Sequence, residues 1–430
     1  MAIKIGLVGT GTVGGGCLEI LNNHKEDFKK HLGVDLELVR VCSREPERAE
    51  EFGVSDIFTL DYTDVVNDPE VDIVIELIGG TTIAKKVVCE ALAAGKNVVT
   101  ANKALIASCG AEIFALAAEQ GKEIAYEASV GGGIPIIDPL KHSLIANEIS
   151  SVIGIVNGTT NYMLTRMDKD KMGYDEALKE AQAAGFAEAN PSADVDGFDA
   201  AAKIAILSTI AFNERVTLDD VHTEGIRNIT PLDFEAAHDM GYSIKLLAIA
   251  HRTDKGIDVR VHPTMIPLSH QLSAVNGVFN AIYVVGDAVG ETMFFGEGAG
   301  SGPAASAVMG DVLEVARHIA NGVAPTNVVM DADPAKLIDI EDIETKYYIR
   351  FSVADQPGVL AAMATVFANH EVSVRSVIQR GKQAGGSVEV VYVTHTASER
   401  AIRAVLADIA ALDGILDGEP SLIRVEDNNR

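Results

Sequence analysis

The sequence predicts three units in series: an open parallel α/β sheet, a mixed α+β unit and a small βαββαβ unit. Three observations carry that prediction. Buried-strand patterns alternate with helical patterns as far as Pro135. From about Glu148, strand patterns follow one another with fewer helices between them. After Thr345, roughly 80 residues run strand, helix, strand, strand, helix, strand, the order of a ferredoxin-like unit.

The first unit opens with the apolar run Ile3–Val8, read as a buried strand. Gly9-Thr10-Gly11-Thr12-Val13-Gly14 follows, and then a helical pattern from about Val13 to Lys30. G-x-G-x-x-G between strand and helix is the dinucleotide fingerprint of a Rossmann-type domain. Its first glycine permits the tight turn, its second admits pyrophosphate, and its third lets helix pack on strand. The helix N-terminus then faces the phosphates. The second strand, Leu36–Cys42, ends in Cys42-Ser43-Arg44, where an NAD-selective domain carries an acid on the ribose. A hydroxyl and Arg44, with Arg40 nearby, suit a 2′-phosphate, so NADP is the expected cofactor and NAD the alternative. The competing reading pairs Arg40 and Arg44 with Glu37, Glu45 or Glu47. Strands at Asp72–Leu77, Asn97–Thr100 and Ile124–Glu127, with helices at Ile83–Ala94 and from Lys103, complete a doubly wound sheet. Lys103 falls just past a strand's C-terminal end, where open parallel sheets bind ligands. Ala128–Pro135 holds three glycines, which imply a hinge or a close backbone approach. Its carbonyls, beside Glu127, also suit a hard cation; the residues alone favour the hinge.

The second unit starts with strand Ile149–Val156, then Asn157-Gly158-Thr159-Thr160-Asn161 and helices to about Ala184. Gly185–Lys203 is its most informative stretch, holding Glu188, Asp194, Asp196, Asp199 and Lys203. Asn190-Pro191-Ser192 marks a loop, and a helix is expected from near Asp196. Asp199 and Lys203 stand four apart and share a face of it. Two readings are open: Asp196 as an N-cap with an ordinary surface ion pair of about 0.2–0.5 kcal/mol, or a site with a proton carrier among acids. A helix near Phe234–Gly241 follows, then antiparallel strands at Lys245–His251, Asp258–Pro263, Asn280–Val285 and Glu291–Phe295. The glycine-rich loop Gly296–Gly302 feeds a helix from about Ala304 and suits the far side of a dinucleotide.

Val323–Asp342, acidic and weakly periodic, reads as a linker. In the third unit, strands at Tyr347–Val353, Val372–Gln379 and Val388–Thr394 flank a helix opened by Asp355-Gln356-Pro357-Gly358. A helix at Ala397–Ile409 and an edge strand at Ser421–Val425 close it. Such a unit is expected to keep one open edge and one open face, and so to pair with a second copy. The boundaries are 1–135, 136–322 with its final helix packing back on the first unit, a linker at 323–345, and 346–430.

Composition narrows the function. The 430 residues are 47% hydrophobic, which excludes wholesale disorder. A net charge of −27 argues against nucleic acid and against anionic membrane as partners. An anionic cofactor must then be held locally, by helix ends and a few basic residues. Cys17, Cys42, Cys89 and Cys109 show no CxxC spacing, hence neither a disulfide framework nor a zinc site, and a reducing, cytoplasmic setting is expected. No signal peptide is read at the N-terminus, and no uncharged apolar run has the length of a membrane span. Cys109, the one candidate nucleophile, lies in a helical pattern far from any suitable histidine motif.

Taken together, GLVGTGTVG, TANKALIA, YEASVGGGIPII, IVNGTTNYML, GFAEANPSADVDGFDAAAKIAIL, GYSIKLLAIA and GAGSGPAASAVMGD resemble homoserine dehydrogenase over nearly the whole chain. DQPGVL and the strand order of the last unit resemble an ACT domain. The resemblance implies reduction of L-aspartate 4-semialdehyde to L-homoserine by NAD(P)H, on the route to threonine, methionine and isoleucine. It makes Lys203 the catalytic acid/base beside Asp199, with Glu188 and Asp199 holding the substrate and Lys103 near substrate and nicotinamide. Thr12, Val13 and Gly185 would line the cofactor, with Gly300 on its far side. Glu127, Val130, Gly132 and Ile134 match the family's monovalent-cation loop, for Na⁺. A homodimer or homotetramer is implied, with L-threonine as the effector of the ACT unit. The chain departs from the family at Pro303-Ala304-Ala305-Ser306-Ala307, which lacks a hydroxyl at Ala304, and at Asn190, where Asp is frequent.

Overall fold

A computed structural model describes residues 2–325, 333–380 and 387–427. Part of the expected linker, 326–332, and residues 381–386 lie outside the described residues.

The first sheet is parallel and holds β1 (Ala2–Val8), β2 (Asp35–Cys42), β3 (Phe58–Thr59), β4 (Ile73–Glu76), β5 (Asn97–Thr100) and β6 (Ile124–Ala125). Their order is β3-β2-β1-β4-β5-β6, so the strand order reverses between β1 and β4. That switch point is where such sheets open a crevice at their C-terminal ends. The central strands β4 and β5 are buried along their whole length, because helices cover both faces: α1 (Thr12–Leu32), α2 (Glu47–Glu51), α3 (Thr63–Val66), α4 (Ile83–Ala93) and α5 (Lys103–Gln120).

The second sheet takes its strands from the rest of the chain. They are β7 (Ile149–Ile155), β8 (His222–Thr223), β9 (Tyr242–Thr253), β10 (Gly256–Pro267), β11 (Phe279–Gly286) and β12 (Gly290–Glu297). From the C-terminal unit come β13 (Glu344–Ala354), β14 (Val374–Arg380), β15 (Ser387–Thr394), β16 (Ala397–Ser398) and β17 (Ser421–Val425). The helices here are α6 (Gly158–Lys169), α7 (Tyr174–Ala183), α8 (Ser192–Val195), α9 (Phe198–Phe212), α10 (Pro231–Asp239), α11 (Ser301–Asn321), α12 (Val359–Asn369) and α13 (Glu399–Ala410). The long path runs β12-β11-β7-β9-β10-β17-β13-β15-β14.

That path corrects two expectations about the C-terminal unit. β17 is not an edge strand: it pairs antiparallel with β13 and parallel with β10. The open face is also covered. Tyr348, Val391, Ile423 and Val425 belong to the same continuous core as Phe234, Ala237 and Met265 of the preceding unit. The other face, with Tyr347, Ile349, Phe351 and Val353, packs its own core under α12 and α13. Charge fixes the junction: Arg350 Nε donates to the fully buried Asp233 at 2.8 Å. The expected open face and the β17 edge are thus used within the chain, where a nearer partner exists than a second copy, and β14 remains the free edge of the unit.

α9 is the hub of the second unit. It is buried from Ala200 to Thr209 and touches α5, β7, β9 and β10. It begins at Phe198, later than expected, because Gly197 takes the left-handed conformation (φ 88°) that closes α8. Asp196 is therefore not its cap and instead ion-pairs with Arg227. α11 returns to the first unit and lies against α1, where a Cβ at Gly16 would meet Ala305 Cβ at 2.9 Å.

Candidate active site

The glycine turn builds one wall. Gly9 has φ 106°, open to glycine alone at low cost, and a Cβ on Gly14 would strike the Gly9 carbonyl. At Gly11 a Cβ would meet nothing within 4 Å, so this side faces open space. α1 has no side-chain cap, which leaves its first N–H groups directed into that space. The Thr10 hydroxyl is buried there without a hydrogen-bond partner. These features fit a dinucleotide's pyrophosphate.

A cleft of about 610 Å³ opens beyond, lined by Thr12, Val13, Lys103, Gly185, Asp199, Lys203 and Gly300 among others. With Gly132, eight of the residues expected from sequence thus meet in one cavity. Lys103 arrives at the first turn of α5, whose cap Asn102 accepts from Leu105 N–H. Asp199 and Lys203 arrive one turn apart on α9. Asp199 Oδ2 accepts from Lys203 Nζ at 2.7 Å, and its Oδ1 lies 2.9 Å from Lys103 Nζ. Lys203 Nζ also donates to the Val156 carbonyl at 2.6 Å. An ammonium has three protons, so one remains for a ligand.

Burial alone would push the Asp199 carboxyl up. The charges of Lys203 and Lys103, with hydrogen bonds from Asn157 and Lys203, hold it well below the usual carboxylate range. Burial lowers Lys103, but Asp199, Asp194 and Glu188 outweigh it and keep its ammonium above the ordinary value. The surface-pair reading of Asp199 and Lys203 fails, since both side chains are about nine-tenths buried.

Two residues of this cluster had no role in the sequence reading. Asp194 lines the cleft, and Asn157 Nδ2 donates to Asp194 Oδ1 at 2.7 Å and Asp199 Oδ2 at 2.9 Å. N-G-T after a strand signalled a helix start, and nothing local tied it to acids about forty residues on.

The remaining site residues stand apart from the cleft centre. Glu188 is exposed on the loop after Gly185 and is not part of the cleft lining, though its charge reaches Lys103. Arg44 is exposed past β2 with no ion pair among the described residues; Arg40 pairs with Asp68, and Arg48 with Glu45 and Glu51. The loop after β6 is not an open hinge: a Cβ on Gly132 would meet the Gly298 carbonyl at 2.5 Å and one on Gly133 would meet Pro303 Cβ at 2.8 Å. Its glycines serve close approach to the loop before α11. Glu127's carboxylate accepts from the N–H groups of Ile136, Ile137 and Asp138 at 2.6–2.9 Å. Its own N–H donates to Asp311 on α11 at 2.8 Å. Val130, Gly132 and Ile134 are buried, and among the described residues their carbonyls accept no hydrogen bond. Cys109 lies within α5, away from the cleft.

A dinucleotide cradle facing an ammonium, a buried carboxylate and a second ammonium defines a nicotinamide-dependent oxidoreductase. The family models agree with that class. Residues 9–127 match the NAD-binding domain of homoserine dehydrogenase, residues 135–313 match homoserine dehydrogenase, and residues 347–414 match the ACT domain. A homoserine dehydrogenase of Pseudomonas aeruginosa is 42% identical over 99% of both chains. The crystal structure of one from Thiobacillus denitrificans superposes with a TM-score of 0.94 at 42% identity, covering 99% of both chains. A hyperthermophilic archaeal homoserine dehydrogenase, solved in complex with NADPH, matches 73% of this chain and 98% of its own at a TM-score of 0.63 and 27% identity. The chain belongs to the homoserine dehydrogenase family.

Proposed function

We propose that the cleft reduces the aldehyde of L-aspartate 4-semialdehyde to L-homoserine, reversibly, with Lys203 as proton carrier. The observation that carries this reading is the Lys203–Asp199–Lys103 cluster across the cleft from the glycine turn. When bound, the nicotinamide supplies the hydride chemistry. The aldehyde oxygen gains negative charge during reduction, and Lys203 Nζ stabilises it and donates its proton. In the reverse direction neutral Lys203 takes the hydroxyl proton. Asp199 holds Lys203 in place and, with Glu188 at the lip, binds the substrate's polar groups; Lys103 completes the pocket. Gly9, Thr10, Gly11, Gly14, Thr12 and Val13 hold the pyrophosphate side of the cofactor, with Gly185 and Gly300 around it. The test is NADPH oxidation with aspartate semialdehyde. Lys203→Ala should lower kcat by about 10²-fold or more, the usual range for a positioned acid/base. Glu188→Ala should chiefly raise KM. Near-native turnover without Lys203 would overturn the assignment.

NADP is the preferred cofactor in this reading, with Arg44 on the 2′-phosphate. A monovalent cation, Na⁺, fits the three uncommitted carbonyls of Val130, Gly132 and Ile134. Glu127 would join them through its main-chain oxygen, because its carboxylate is occupied by three N–H groups. The enzyme is cytoplasmic and homo-oligomeric, a dimer or tetramer, with L-threonine as effector at the ACT unit. Since β17 is paired in the chain, a subunit contact through this sheet falls to β14. Calorimetry with threonine and light scattering of the purified protein test these two points.

A further inference from the structure

Asn157 stands two residues past the end of β7 and caps α6. Its Oδ1 accepts from the Thr160 N–H at 2.9 Å and from the Thr160 hydroxyl at 2.8 Å. Two donors on one atom fix which end of the amide is oxygen. The NH₂ end must then face the cleft, where its two protons go to Asp194 and Asp199. The preceding residue, Val156, accepts from Lys203. Two consecutive residues therefore grip both the acid and the base of the reacting pair.

Two carboxylates this close repel, and such pairs tend to share a proton. The charged groups facing Asp199 are Lys203 on its own helix, Lys103 on α5 and Asp194 on α8. Glu188, on the loop between α7 and α8, acts on Lys103. Asn157 is the neutral group that donates to both acids without adding or removing charge. We propose that Asn157 is a positioning residue whose single NH₂ group holds Asp194 and Asp199 side by side and keeps the Asp199 carboxylate aimed at Lys203. The helix cap and the geometry of the reacting pair are then set by opposite ends of one amide. This inference rests on Lys203 and Asp199 being the reacting pair.

Asn157→Ser and Asn157→Asp separate the two ends, because both keep an N-cap oxygen and both lose the NH₂ bridge. The melting temperature of the Ser variant should stay close to the parent's, and that of the Asp variant should fall, since a third buried carboxyl repels the other two. kcat/KM should fall roughly 10- to 100-fold, the scale of one or two hydrogen bonds to charged groups. The acid limb of the pH profile should move to higher pH in the Ser variant, as Asp199 loses a donor to its ionised form, and further in the Asp variant, where a third carboxyl joins the pair. Unchanged kcat/KM and pH profile in the Ser variant would overturn the proposal. So would lost activity with an unmoved pH profile, which would mark Asn157 as a cap alone. Lys203→Ala belongs in the same experiment: if it keeps its turnover, the reading of the site falls too. If it loses turnover while Asn157→Ser does not, only the present proposal falls.

Discussion

Arg44 is the exposed cation past β2 that lacks a counter-charge among the described residues, while Arg40 and Arg48 hold carboxylates. A free guanidinium beside the Ser43 hydroxyl matches the bidentate geometry of a phosphate monoester. Arg44→Ala should weaken NADPH by about tenfold, the scale of a charge-assisted hydrogen bond, and leave NADH nearly unchanged. KM for both cofactors measures this, and equal losses would show that Arg44 does not read the 2′-phosphate. At this scale the sequence was informative wherever chemistry is local. Asp199 and Lys203 could be paired because four residues make one helical turn. Lys103 could be placed because ligands gather at strand C-termini. Asn157 and Asp194 could not, since hydrogen bonds spanning 37 and 42 residues leave no local trace.

Among the elements, most strands and helices were legible, because their apolar periods agree with their burial. The exceptions have physical causes. α8 is four residues long, shorter than one readable period, and hangs on Pro191. Nothing within Ser421–Val425 marks β17 as an inner strand, because a short strand's pairing depends on a partner that the local sequence does not specify. In the structure Arg424 of β17 is fully buried and bidentate to Glu224 at 2.8 and 2.9 Å. It also holds the fully buried Glu399 of α13. Arg424→Ala would strand those acids, and removing one member of a buried set costs about 3–5 kcal/mol. Denaturant unfolding of parent and variant tests that figure. Burial tends to raise the Glu224 carboxyl, but His222 and Arg424 hold it far below the usual range. A depressed carboxylate stabilises above its unfolded value of about 4.3, and that contribution is lost as pH falls. The gap between parent and Arg424→Ala should therefore narrow below about pH 4. A gap that is flat with pH would mean that Glu224 is not the partner that counts.

For the whole molecule, the order of three units was legible, but not how far the last is built into the one before it. The ACT unit gives a strand to β10, a sheet face to the core around α10, and Arg350 to Asp233. Removing the chain from Glu344 onward would expose apolar surface and an unpaired strand edge. Such a truncated protein should show a lower melting temperature and should aggregate, by differential scanning calorimetry and light scattering. An unaltered melting temperature would mean that the unit is merely tethered. For the same reason, threonine control is better tested with the full chain than by truncation.

The pairing of Thr264 with Arg424 also has a consequence in time. Synthesis runs from N to C, so β10 leaves the ribosome long before β17 exists. Through that interval β8 covers its outer edge at Arg260 and Val261, while the Thr264–Met265 end keeps unmatched amides and carbonyls, the kind of surface on which nascent chains join one another. The Arg260 beside it waits equally long for Glu426. A holding chaperone, or slow translation between the two strands, would then raise the yield of folded protein without altering the stability of the finished fold.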